Sequence, residues 1–173
     1  SRNPLDPGHS KKMKEFYRRA MAGEILTISP TRRSTAPSMA LFGVSGVGKS
    51  TAIERALAFY PQVLHHKEHG FFQICWLKID CPLDGSLKQF LMAFLDKVDE
   101  LLGSNWRRTF GRAKTVDELI GYVARVAAAH HLGLLVMDEV QNLLLASGVG
   151  QEKMLNFFVT LSNDVKIPYV TIG

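Results

Sequence analysis

The sequence predicts an α/β fold, a parallel sheet with helices on both faces, and three observations point to it. Short apolar runs alternate with longer segments whose apolar residues recur at the helical period. One run, Leu134-Leu135-Val136-Met137, is apolar without interruption, as in a strand buried on both faces. Another, Met39-Ala40-Leu41-Phe42, enters a glycine-rich turn that opens directly into a helical pattern. Strand, turn and helix in that order form the repeating unit of parallel sheets.

The elements follow in order. Ser10 is a suitable N-cap for a helix over 11–22, with Met13, Phe16, Tyr17 and Ala20 on one face and Gly23 ending it. Residues 27–38, rich in Ser, Thr, Arg and Pro, read as a connection into the first strand at 39–42. Thr51-Ala52-Ile53-Glu54-Arg55-Ala56-Leu57 reads as a helix that stops before Pro61, and 61–70 reads as a polar connection. A second strand is expected over 72–80, turned by Cys81-Pro82-Leu83-Asp84-Gly85. Ser86 then caps an amphipathic helix carrying Leu87, Phe90, Leu91, Phe94, Leu95, Val98, Leu101 and Leu102, with Gly103 at its end.

Thr115 and Glu118 form a capping box for the next helix, whose inward residues are Val116, Leu119, Ile120, Val123 and Val126. The third strand runs to Asp138-Glu139. A helix over 151–163 turns Met154, Leu155, Phe158 and Leu161 inward, and 167–172 is the fourth strand. The pattern divides into a basic N-terminal helix and linker, 1–38, and a core, 39–173. The chain's start at Ser1 rather than Met, and its stop at Gly173 straight after an apolar run, read as a piece of something longer.

The turn after the first strand is Gly43-Val44-Ser45-Gly46-Val47-Gly48-Lys49-Ser50, which meets the G-x-x-x-x-G-K-[ST] pattern in full. Glycines there let backbone N–H groups curl around phosphate oxygens, and the helix that starts at Lys49-Ser50-Thr51 adds its positive end. Lys49 reaches the outer phosphates and Ser50 helps to hold Mg²⁺, so the chain is expected to bind a nucleoside triphosphate. Asp138, ending its strand roughly 90 residues later, is placed to hold the Mg²⁺ water shell opposite Ser50. Glu139 beside it can orient and deprotonate a water for attack on the γ-phosphate; the plainer alternative is a residue that only ends the strand. A metal acid and a base together favour hydrolysis over phosphoryl transfer to a small molecule.

Composition narrows the class further. At 173 residues and 46% apolar the chain can build a sizeable core, and no apolar run is long enough to span a bilayer. Cys75 and Cys81 lie six apart on one extended segment, too far to bridge, and read as free thiols of a reducing, cytoplasmic setting. His65, His66 and His69 read as solvated loop residues, with a metal site as the other possibility. The net charge of +5 belongs to residues 1–36, which hold eight Lys/Arg against three acids. Such a surplus suits an anionic partner such as nucleic acid, or a solvated helix face. A second basic stretch, 105–114, interleaves Arg107, Arg108, Arg112 and Lys114 with Trp106 and Phe110. It suits phosphate contact and stacking, or an exposed loop anchored by a buried Trp.

Taken together, these motifs resemble an AAA+ ATPase, and more narrowly the transposition regulators of the TnsC/TniB type. The resemblance rests on residues 43–51, on Leu77-Lys78-Ile79-Asp80-Cys81-Pro82 with Asp84-Gly85-Ser86, on residues 134–139 with Val140-Gln141, and on Asn156-Phe157-Phe158. It implies a P-loop NTPase fold of AAA+ type, with a polar sensor, fifth strand and helical lid lying past Gly173. It implies ATP and Mg²⁺ as cofactors, Lys49 and Ser50 as ligands, Asp138 as the metal acid and Glu139 as the base. The family's partners would be double-stranded DNA, a transposase and target-selection proteins, with ATP-bound homo-oligomeric rings or filaments and no membrane. A replication initiator or helicase loader would carry the same core motifs. In this family's strand order the missing fifth strand would leave the phosphate-loop strand at the sheet edge.

Overall fold

The computed structural model describes residues 26–27, 36–144 and 149–173. The expected helix over 11–22, its Ser10 cap and the basic cluster around it lie outside the described residues. The central sheet contains β1 (Leu26–Thr27), β2 (Met39–Leu41), β5 (Leu77–Asp80), β6 (Leu135–Asp138) and β7 (Tyr169–Ile172), in the order β1-β2-β7-β6-β5. β2, β7, β6 and β5 are parallel, as expected. β1 runs antiparallel to β2, with Leu26 opposite Ala40 and Thr27 opposite Met39. So the phosphate-loop strand is not left at the edge: a short strand from the segment expected to be linker supplies its outer hydrogen bonds.

Register sorts the side chains into two layers. Leu77, Ile79, Leu135, Met137 and Tyr169 face the larger core, which is closed by α2 (Leu87–Leu102), α4 (Val116–Ala129) and α6 (Val149–Val159), the last preceded by the short α5 (Gln141–Leu144). Val136, Val170 and Ile172 face the other way and pack with Leu57 of α1 (Lys49–Leu57), joined by the half-buried Ile53, Trp76 and Leu134. Alternating residues of one strand therefore serve opposite cores, which is why these strands read as continuous apolar runs.

α2 forms as its sequence dictates. Ser86 Oγ accepts from the Gln89 N–H at 3.2 Å, and Gly103 ends the helix at φ 65°, the left-handed cap that glycine adopts without penalty. Phe90, Leu91, Phe94, Leu95 and Val98 are all fully buried on its inner face, each contributing roughly 1.5–3 kcal/mol by removal from water. In α4, Thr115 accepts from the Glu118 N–H, while the Glu118 carboxylate reaches back to the Lys114 N–H rather than to Thr115. α6 continues into a π-helical turn over Thr160–Val165, which ends at left-handed Lys166.

Three expectations need correction. The strand expected over 72–80 is two strands, because the backbone of Ile74 bonds to His130 and Gly133 instead of extending the sheet. A side chain at Gly133 would come within 2.6 Å of the Cys75 carbonyl, so the chains cross tightly where the extended run breaks. Its first half, β4 (Phe71–Ile74), pairs antiparallel with β3 (Val63–His66), so 61–70 is mostly a hairpin. His65 and His66 stack there on Phe72 and Phe71 at 4.2 and 4.7 Å, pairs that an expectation of solvated loop histidines omits. Third, the basic stretch contains the short helix α3 (Trp106–Phe110), and the last strand starts at Tyr169 instead of 167.

Candidate nucleotide site

The site forms where β2, β7 and β6 end side by side. Gly46 and Gly48 sit at φ 83° and 86°, a left-handed backbone that curls the loop and that side chains resist. Val44, Ser45, Gly46, Val47 and Gly48 are all exposed, so the loop is open to solvent. Gly48 is the N-cap of α1 and brings no side chain to the first-turn N–H groups of Lys49, Ser50 and Thr51. That leaves the helix start without a side-chain cap, the arrangement the motif requires for an anion. The Lys49 ammonium donates to the carbonyls of Gly43 and Val44, both at 2.9 Å, and so lies across the loop's mouth.

The loop and the acidic strand meet directly. Ser50 Oγ donates to Asp138 Oδ1 at 3.0 Å, joining residues 88 apart in the chain. Asp138 is 5% exposed and takes two further bonds: the Glu139 N–H reaches Oδ1 at 3.0 Å and Lys78 Nζ reaches Oδ2 at 3.0 Å. Burial alone would raise its carboxyl's pKa. The Ser50 hydroxyl, the Lys78 ammonium and the Glu139 N–H outweigh that and hold it below the ordinary carboxylate value.

Lys78 is the residue that sequence reasoning missed. It lies on β5 two positions before Asp80, whose cross-strand neighbour is Asp138. Its ammonium also bonds Glu54 of α1 at 2.9 Å and Asp80 at 3.2 Å. One cation thus ties the phosphate-loop helix to two strands of the sheet. Burial works against its charge, yet the three carboxylates raise its pKa above the ordinary lysine value. The available signal was a Lys and an Asp alternating with Leu77 and Ile79 in an otherwise apolar strand. Cys81 follows; its thiol is pushed up by burial and by the carboxylates of Asp138, Asp80 and Glu139, and both cysteines are free.

Glu139 leaves the strand with φ 54°, a left-handed conformation that costs a non-glycine residue roughly 1–2 kcal/mol. The turn is held by Val140 N–H on the Ile172 carbonyl at 2.9 Å, and Asn142 Nδ2 reaches the Cys81 carbonyl at 3.2 Å. Glu139 is exposed, and its carboxylate accepts a hydrogen bond from Gln141 Nε2.

The second basic stretch lies apart from this cluster. Trp106 stacks on Phe110, and Phe110 on Tyr122 at 4.5 Å, so both aromatics are spent on internal packing. Trp106 Nε1 also donates to His130 at 3.0 Å, and Asp99 caps α3 through the Trp106 and Arg107 N–H groups. Arg107 pairs with Asp96 at 3.2 Å; the side chains of Arg108, Arg112 and Lys114 are exposed. The stretch therefore offers cations at the surface but no free ring to wedge between bases. Among the described residues no helix is long and apolar enough to cross a membrane, and none groups three or more metal-ligating side chains.

A family model described as an AAA domain matches residues 32–173. No curated protein matches the chain.

Proposed function

This chain belongs to the AAA domain family, and from that premise we propose that it is an ATP-hydrolysing regulator of DNA transposition, of the TnsC/TniB type. The observation that supports hydrolysis best is the Ser50–Asp138 contact beside Glu139. In this reading the loop's N–H groups and Lys49 hold the triphosphate. Ser50 and Asp138 offer an all-oxygen donor set suited to Mg²⁺, which would offset charge developing on the phosphates. Glu139, exposed and next to the metal acid, takes the proton from the attacking water.

The finer assignment is supported by the resemblance of the Leu77-Lys78-Ile79-Asp80-Cys81-Pro82 and Asn156-Phe157-Phe158 motifs. Double-stranded DNA is the proposed ligand of Arg107, Arg108, Arg112 and Lys114, through phosphates alone. ATP-bound homo-oligomers would pass target information to a transposase and a target-selection protein, and hydrolysis would dismantle them. The test is ATP turnover with and without duplex DNA, on the parent and Glu139→Gln. The parent should turn over faster with DNA, while the variant should retain ATP and cleave it at least about 100-fold more slowly, since an amide accepts no proton. A variant at the parental rate would remove Glu139 as the base. Turnover indifferent to DNA would remove the DNA reading and leave the ATPase.

A further inference from the structure

We propose that Gln141 is the positioning residue of this site, locking the Glu139 carboxylate in place by wedging its own amide against the end of β7; the inference rests on Glu139 being the base.

Three observations carry it. First, Gln141 Nε2 donates to Glu139 Oε2. A carboxylate only accepts, so the amide has one sensible orientation: nitrogen toward Glu139, oxygen inward. Second, that inward Oε1 is buried with no hydrogen-bond partner among the described residues. Leaving a buried acceptor unpaired forfeits its hydration with nothing in return, so the arrangement lowers stability and calls for a reason. Third, the amide lies directly against backbone. A side-chain carbon at Gly173 would come within 2.8 Å of Gln141 Oε1 and 2.6 Å of the Phe42 ring.

Gly173 is also the residue that joins the site's parts. Its N–H donates to the Leu41 carbonyl at 3.1 Å, and its carbonyl accepts from Gly43 N–H at 3.2 Å. The Gly43 carbonyl in turn takes Lys49 Nζ. Hydrogen bonds therefore link the phosphate-loop lysine to Gly43 and Gly43 to Gly173, and Gly173 lies against the amide that holds Glu139. Glu139 alone would be a poor base: it is exposed, on a left-handed residue, and free to rotate its carboxylate. The wedge removes that freedom. Holding a base within a fraction of an ångström matters because a misplacement of about 1 Å can cost on the order of 100-fold in rate.

Gln141→Met keeps the side chain's length and removes both the donor and the orphan oxygen. Its kcat should fall about 10- to 100-fold, with the Kd for ATP within about twofold and the thermal midpoint unchanged or raised. A purely structural residue would lower the midpoint and leave the rate per folded molecule alone. A second readout needs no turnover. Labelling of Glu139 by carbodiimide and an amine, read on its peptide by mass spectrometry, should rise several-fold once the carboxylate is released. Gln141→Asn, one methylene shorter, should behave like Gln141→Met and serves if that variant misfolds. Parental kcat together with parental labelling in either variant would overturn the proposal. If Glu139→Gln turns over normally, the base reading fails by itself, and the labelling still decides whether Gln141 holds Glu139.

Discussion

Replacing Lys78 with Met tests how much of the site's architecture rests on one cation. The variant keeps the aliphatic stem and deletes the ammonium. Lys78 Nζ lies 2.9 Å from Glu54, 3.0 Å from Asp138 and 3.2 Å from Asp80, but these pairs are unequal. The side chains of Glu54 and Asp80 are 55% and 75% exposed, so each pair contributes about 0–1 kcal/mol. The Asp138 side chain is 7% exposed, and stranding a buried carboxylate costs about 3–5 kcal/mol. That figure must be reduced here, since Ser50 Oγ and the Glu139 N–H remain on Oδ1 and Lys78 itself is 19% exposed. A loss of about 2–3 kcal/mol results, or a urea midpoint lower by about 1–1.5 M at a slope near 2 kcal/mol/M.

The pH dependence has a definite sign. Asp138 is held below its ordinary pKa, so its contribution is present above about pH 4 and fades as pH falls through the folded value. Lys78 is raised, so its contribution is complete below about pH 10.4 and fades only as pH rises toward the folded value. The gap between parent and variant should therefore be flat from about pH 5 to 9 and narrow on the acid side. Adding Asp138→Asn to Lys78→Met should recover at least about 1 kcal/mol, because the stranded charge is gone. A gap under about 0.5 kcal/mol, or strict additivity of the two changes, would refute the reasoning.

Two further outcomes are expected. Ser86→Ala should destabilise by about 1 kcal/mol in a urea titration through loss of the α2 cap. If the chain binds duplex DNA as proposed, Arg107→Ala with Arg108→Ala should lower the log–log salt slope by about two per subunit, with ATP binding intact. An unchanged slope there, with a large loss on replacing Lys11, Lys12, Lys14, Arg18 and Arg19, would move the contact to the N-terminal cluster.

Local rules made much of this protein legible in its sequence. The phosphate loop is readable because its backbone geometry needs glycines at fixed spacing, and Gly46 and Gly48 have the positive φ values that spacing implies. The α2 pattern is readable because burial, cap and stop all depend on neighbours within the helix. Asp138 and Glu139 are readable as the end of an apolar run. Pairings across the chain were decided by tertiary structure alone. The run at 72–80 alternates like one strand, and only its hydrogen bonds to His130 and Gly133 divide it in two. Lys78 looks like a solvent-facing position of a strand until β5 lies beside β6 and α1 lies above them, bringing three carboxylates to it. Gln141 has no signature of its own; its amide is confined only because Gly173, just past β7, lies between it and Phe42 once the sheet has formed. Periodicity records what a residue does relative to its own backbone. Charge pairing and wedging depend on which strands become neighbours, and that is settled when the sheet assembles.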